Sequence, residues 1–189
     1  MSDPVLALDG AAYEGYVSVA EAPLHGMITL RSDLSAEKLK TALKSVLGLA
    51  VPRPRAVLEN EEHSAAWMAP DELLLFVPYE MVEGVVVQLL EGLGHVHSLV
   101  VNVSDAQAVF TLQGGALREV IAKLAPVDSA PGQIEPGELR RTRFGQCAAA
   151  FWLLSDDAAK IICFRSVARY MFDQLKAAAT PGHEVGIWS

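Results

Sequence analysis

His95 and His97 stand two residues apart at the entry to an apolar, alternating stretch, so on a strand both imidazoles would share a face and could approach one metal ion. A metal site needs further Asp, Glu or Cys ligands at a recognisable spacing, and no such set accompanies the pair, so it reads as loop or surface histidines. His25, His63 and His183 occupy isolated contexts. Cys147 and Cys163 form neither CxxC nor a metal-ligand spacing and have no recognisable base nearby, so both read as buried, inert thiols. No serine lies in a nucleophile elbow. Gly114-Gly115 ahead of a helix could cradle a phosphate, but it lacks both GxGxxG and GxxxxGK spacing and reads as a backbone turn. The acidic pairs Glu61-Glu62, Asp71-Glu72 and Asp156-Asp157 could do general acid/base work. Two of them fall in expected hairpin turns, where Asp is favoured for local hydrogen bonding.

Two features remain open. Arg140, Arg141 and Arg143 form a dense cationic group in an acidic chain, and either hold a carboxylate-bearing ligand or acidic partner, or form a solvated strand entry. Trp188 either folds back on its own domain or inserts into a partner pocket. Arg141, Arg143 and Trp188 are therefore the candidate interface residues, and no catalytic, cofactor-binding or metal-binding residue is assigned.

Composition narrows the function classes. A net charge of −8 and a pI near 5.1 leave no positive field for a phosphate backbone or an anionic bilayer, so neither nucleic acid nor a membrane surface is an expected partner. The opening Met1-Ser-Asp-Pro resembles no secretory leader, and apolar runs such as 73–78 and 84–87 are too short to cross a bilayer. A cytoplasmic location is expected. Apolar residues make up 51%, above the usual share once glycine is counted with them, and charged residues only 20%. Either a thoroughly buried core or a surface covered by another subunit accounts for that balance.

The elements that must carry these residues follow from periodicity. Residues 1–23, with Pro4, Gly10, Gly15 and Pro23, read as an extended N-terminal arm on the surface, anchored by Tyr13 and Tyr16. Residues 27–31 alternate as a strand. Asp33 or Ser35 can cap the next helix, whose stripe is Leu39, Leu43, Val46 and Leu47 and which ends at Gly48. A hairpin turning at 70–72 carries the nearly all-apolar strand 73–77, expected to be central and covered. A helix with Val82, Val85, Val86, Leu89, Leu90 and Leu93 follows, closed by Gly94, then strands at 98–104 and 108–112. Leu117, Val120, Ile121 and Leu124 mark a helix ended by Pro126, and 126–136 is loop. Residues 141–154 read as one long strand, 159–164 as its partner, and Val167, Tyr170, Met171, Leu175 and Ala178 as a last helix before a polar tail, 180–189.

The two halves match element for element. Thr29-Leu-Arg before a helix answers Thr111-Leu-Gln, and the hairpin bearing Trp67 and Phe76 answers the one bearing Trp152 and Phe164, with small drifts in offset expected of loop insertions. The expected fold is α+β: a single pseudo-symmetric domain, 24–179, of two βαββαβ-like (ferredoxin-like) repeats, about 24–104 and 105–179. A returning strand is evident only for the first.

A tryptophan-bearing Trp67-Met-Ala-Pro-Asp-Glu-Leu-Leu-Leu, the central Val101-Asn-Val-Ser-Asp-Ala-Gln-Ala-Val-Phe-Thr-Leu-Gln-Gly, the helix end Ala122-Lys-Leu-Ala-Pro-Val-Asp, and Arg141-Thr-Arg-Phe-Gly-Gln before a second tryptophan hairpin occur in succession. Over about 25–178 this resembles the gamma subunit family of heterotetrameric sarcosine oxidase, which is similar to the folate-binding domain of aminomethyltransferases. The resemblance implies an accessory subunit, partnered by alpha, beta and delta subunits, in a complex that oxidatively demethylates sarcosine to glycine. That complex passes the one-carbon unit to tetrahydrofolate and electrons through flavins to oxygen, releasing hydrogen peroxide. FAD, FMN, NAD and tetrahydrofolate are implied for the other subunits and no cofactor for this one. Phe144-Gly-Gln-Cys keeps only a fragment of the KGCxxGQ motif of the related iron–sulfur repair proteins. The isolated chain is expected to self-associate. The alternative function is a stand-alone tetrahydrofolate-binding or aminomethyl-transfer protein.

Overall fold

The computed structural model describes residues 5–188, and its contacts divide into two compact units. One is Leu24–Ser104; the other joins the N-terminal residues up to Pro23 with the chain from Asp105 onward. In chain order the strands are β1 (Ala12–Tyr13), β2 (Ser18–Glu21), β3 (Gly26–Ser32), β4 (Val57–Glu59), β5 (Ser64–Ala69), β6 (Glu72–Val77), β7 (Ser98–Asn102), β8 (Gln107–Gln113), β9 (Leu139–Phe144), β10 (Cys147–Ser155) and β11 (Ala158–Phe164). The helices are α1 (Glu37–Leu47), α2 (Val82–Leu93), α3 (Leu117–Leu124) and α4 (Ala168–Ala178).

In the Leu24–Ser104 unit the sheet runs β4-β5-β6-β3-β7, every pair antiparallel. Alternate residues of β3 and β6 face the helices: Ile28, Leu30, Leu73 and Leu75 pack with Leu39, Leu43 and Leu47 of α1 and Val85, Leu89 and Leu93 of α2. Leu43 and Leu89 are fully buried, so truncating either to Ala costs about 2–5 kcal/mol. Met27, Leu74 and Phe76, on the other face, are buried as well, which is why 73–77 reads as an unbroken apolar run. α1 ends as expected, with Gly48 in the left-handed conformation (φ 71°), but it is not capped by Asp33 or Ser35. Its N-cap is Ala36, and Asp33 instead accepts from the Ser35 N–H and hydroxyl, closing the turn before the helix.

The other unit has the order β1-β2-β8-β11-β10-β9, again antiparallel throughout. Phe110, Leu112, Phe151, Leu153 and Ile161 pack against Leu117, Val120 and Ile121 of α3 and Met171, Phe172 and Leu175 of α4. Strand for strand, β8, β10 and β11 answer β3, β5 and β6, while β9 answers β4.

Two expectations are corrected. The segment read as a surface arm is a sheet component: β2 pairs with β8 from Ser18↔Gln113 to Glu21↔Phe110, and Val17 and Val19 are buried. It occupies the place that β7 holds beside β3, so the N-terminal segment supplies the returning strand that the second repeat lacks. Residues 180–188, broken by Pro181, Gly182 and Gly186, form no strand and do not fill that place. Likewise 141–154 is not one strand. Gly145 (φ 55°) and Gln146 reverse the chain between β9 and β10, since a left-handed residue ends an extended run. Elsewhere the N-terminal segment is pinned as expected, by the Tyr13 hydroxyl at Thr180 and the Tyr16 hydroxyl donating to the Ala178 carbonyl at 2.8 Å. The Glu21 carboxylate adds to this by accepting the N–H groups of Leu8 and Gly10.

Candidate functional site

α3 is only eight residues long, yet it carries two buried charges side by side. Arg118 and Glu119 are 7% and 6% exposed, a state charged side chains hold only when paired. Arg118 donates from Nη1 and Nη2 to the Ile134 carbonyl at 3.1 Å and from Nη2 to Asp156 at 3.0 Å, with longer contacts to the Ser129 and Ala130 carbonyls. The Ser129 hydroxyl returns a bond to the Arg118 carbonyl. The guanidinium thus stakes the 126–138 loop to the helix.

Glu119 holds the other end. Its carboxylate meets the Lys123 ammonium at 2.8 Å and accepts the N–H of Val185 at 2.7 Å and of Gly186 at 2.9 Å. The Lys123 hydrogen bond and the two backbone donors outweigh burial and hold the Glu119 pKa down from 4.5 to about 2. Burial pulls Lys123 down, but Glu119 and the Tyr16 hydroxyl, at 2.7 Å, outweigh it and its pKa is raised. Burial raises that of Tyr16. Lys123 also donates to the His183 carbonyl at 2.6 Å.

Between α3, the loop and the tail lies a cavity of about 280 Å³ lined by Gly115, Ala116, Arg118, Glu119, Pro131, Gly186 and Trp188. Trp188 lies over it, 37% exposed, folded back on its own unit. The volume falls just below the about 300–1,000 Å³ of small-molecule pockets. Both buried charges facing it are engaged in holding the loop and tail. This arrangement is a clamp: it fastens loop and tail to one short helix.

Arg141 and Arg143 lie elsewhere, two apart and exposed on β9, the edge strand of their sheet. Arg140 pairs with Glu138 at 2.8 Å. Neither Arg141 nor Arg143 lines the α3 cavity, so the structure does not bring them together with Trp188 there. His95 and His97 are exposed, and no three His, Cys, Asp or Glu groups among the described residues could hold a metal ion. Cys147 and Cys163 are buried free thiols; burial raises both, and with the neighbouring Cys147 pushes Cys163 up to about 12. Gly114 (φ 141°) turns the backbone, its N–H donating to the Asp157 carbonyl. Sequence reasoning missed Arg118 and Glu119: they flank an apolar helical stripe as solvated residues do, and their partners lie far along the chain.

A duplicated ferredoxin-like α+β chain is the class this fold defines, and the same class includes aminomethyltransferases. The glycine cleavage system aminomethyltransferase T from Bartonella henselae matches 82% of this chain with a TM-score of 0.57 and 16% identity, the match covering 44% of that protein. Heterotetrameric sarcosine oxidase from Corynebacterium sp. U-96, in complex with pyrrole 2-carboxylate, has a chain that matches 96% of this one, with 93% of its own length covered, a TM-score of 0.81 and 20% identity. Residues 31–181 match the sarcosine oxidase, gamma subunit family, and the chain belongs to that family. As a gamma subunit it is one component of a multi-subunit complex. Comparison with curated protein sequences finds no match. No helix among the described residues is long and apolar enough to cross a membrane.

Proposed function

We propose that this chain completes a heterotetrameric sarcosine oxidase, assembling with alpha, beta and delta subunits and leaving the chemistry to them. The family match across residues 31–181 carries the reading. The use of Arg118, Glu119 and Lys123 as structural clamps supports it, because the groups best placed for chemistry are committed to holding backbone. FAD, FMN, NAD and tetrahydrofolate are assigned to the other subunits, where sarcosine is demethylated to glycine. Arg141 and Arg143 on the β9 edge, and the exposed side of Trp188 where it folds back over the α3 cavity, are proposed as partner-facing residues. The cytoplasm is the proposed compartment, in keeping with two buried free thiols in an acidic chain.

Co-expression tests this. The tagged chain is expected to co-purify with alpha, beta and delta in one species that oxidises sarcosine, and omission of the chain is expected to collapse the yield of assembled complex. Recovery of a monodisperse monomer indifferent to the other three subunits overturns the reading.

A further inference from the structure

The two units treat the same edge of the fold differently. Beside β8, the returning-strand place is held by β2, and β2 is itself covered: β1 adds antiparallel, Ala12 opposite Ala20 and Tyr13 opposite Val19, while Ala7, Leu8, Ala11 and Tyr13 pack onto the core. Beside β3 the place is held by β7, and no strand of the described residues pairs with its far side. The register places the open groups. Val103 N–H donates to the Met27 carbonyl, so Val101 and Leu99, at period two from it, bond inward to β3, and the N–H and C=O groups of Ser98, Val100 and Asn102 point outward.

That edge has apolar flanks. On one side Leu99 and Val101 are 51% and 40% exposed; on the other, Val87 and Leu90 of α2 are 53% and 45% exposed. Asn102 donates to Glu83 at 2.7 Å, which turns the Glu83 flank of α2 toward β7, and Val87 and Leu90 follow Glu83 by four and seven residues on that flank. β7 has none of the charges, prolines or bulges that guard a solvent-facing edge. The charge on the α2 flank of this edge is acidic. Glu80 and Glu83 are exposed, residues 79–93 contain no Lys or Arg, and Arg31, opposite Leu99, is engaged by Glu72 at 2.9 Å; the nearest other cation, Lys38, lies at Gly94, before the Ser98 end of the strand. A second copy of this chain would set carboxylates against carboxylates. A basic partner would not.

We propose that β7 is a docking edge for an extended, apolar segment flanked by Lys or Arg from another subunit of the complex, adding antiparallel as β1 adds to β2. The proposal rests on the gamma subunit reading. Its test is hydrogen exchange on the wild-type chain alone and in the co-expressed alpha–beta–gamma–delta complex, together with recovery of the complex by Leu99→Lys/Val101→Lys, whose exposed positions leave the core intact.

Amides of Ser98, Val100 and Asn102 are expected to exchange at least about tenfold more slowly in the complex, and the double variant to recover about tenfold less of it. The inward amides of Leu99 and Val101 stay protected in both states. Failure of the wild-type chain to assemble at all overturns the subunit reading, and this proposal falls with it. An assembled complex in which the three outward amides still exchange as in the free chain, with full recovery for the variant, overturns the docking edge alone. So does a homodimer of the isolated chain that the variant abolishes while its heteromeric assembly is unchanged.

Discussion

Replacing Glu119 by Gln removes one negative charge from the clamp while keeping the side chain's shape. The carboxylate has Lys123 at 2.8 Å and the Val185 and Gly186 N–H groups at 2.7 and 2.9 Å, and its pKa is held at about 2 against 4.5. A displacement of that size corresponds to about 3 kcal/mol of preference for the charged form before solvent screening, and although the side chain is 7% exposed it lies close under the surface, where screening takes part of that. The amide keeps one carbonyl acceptor and Lys123 keeps its bonds to Tyr16 and His183. The expected loss is therefore about 1–2 kcal/mol at pH 7. Because the folded-state pKa is depressed, this stability is present above pH 4.5 and is lost as pH falls through 4.5 toward 2. Urea unfolding of wild type and Glu119→Gln from pH 7 to pH 2 should give a constant gap near neutrality that closes in acid. Exchange of the Val185 and Gly186 amides should quicken in the variant. Equal stability at pH 7, or a gap that persists undiminished to pH 2, refutes the clamp.

Three further outcomes follow from the same packing. Arg118→Met leaves the Ile134 and Ser129 carbonyls without their buried donor and should cost about 2–4 kcal/mol, with the first limited-proteolysis cut moving into 126–138; an unchanged cleavage map would count against the staking role. Gly15→Ala would drive its Cβ into the Ala179 carbonyl oxygen, which accepts the Tyr16 N–H, so the N-terminal segment must shift, at about 2–3 kcal/mol measured by thermal unfolding. With the Cys163 thiol pushed up to about 12 and that of Cys147 raised, a thiol reagent at pH 8 should label both only as fast as the chain opens, and prompt labelling of the native protein would contradict their burial.

Much of the fold was legible because it is written in local periodicity. The stripes at 39–47, 82–93, 117–124 and 167–178 are the buried faces of α1 to α4, and the near-constant offset from Leu30 to Leu112 and from Trp67 to Trp152 carries the duplication in the sequence itself. The family was legible for a related reason: a succession of weak motifs over most of the chain is specific even where each alone is not. The break at Gly145 was harder to see, since one left-handed glycine in a run of strand formers gives no change of pattern.

The sequence by itself thus determined the four helices and most of the strands, which depend on residues within a turn or two of each other, and the repeat, which is a match between two such local patterns. Only the tertiary structure decided that 18–21 closes the second sheet and that Arg118 and Glu119 are buried anchors. It alone also decided that, among the described residues, no strand pairs with the far side of β7. Each depends on partners far apart in the chain, and no local pattern records which distant segment satisfies a strand's outward hydrogen bonds or a helix's charges.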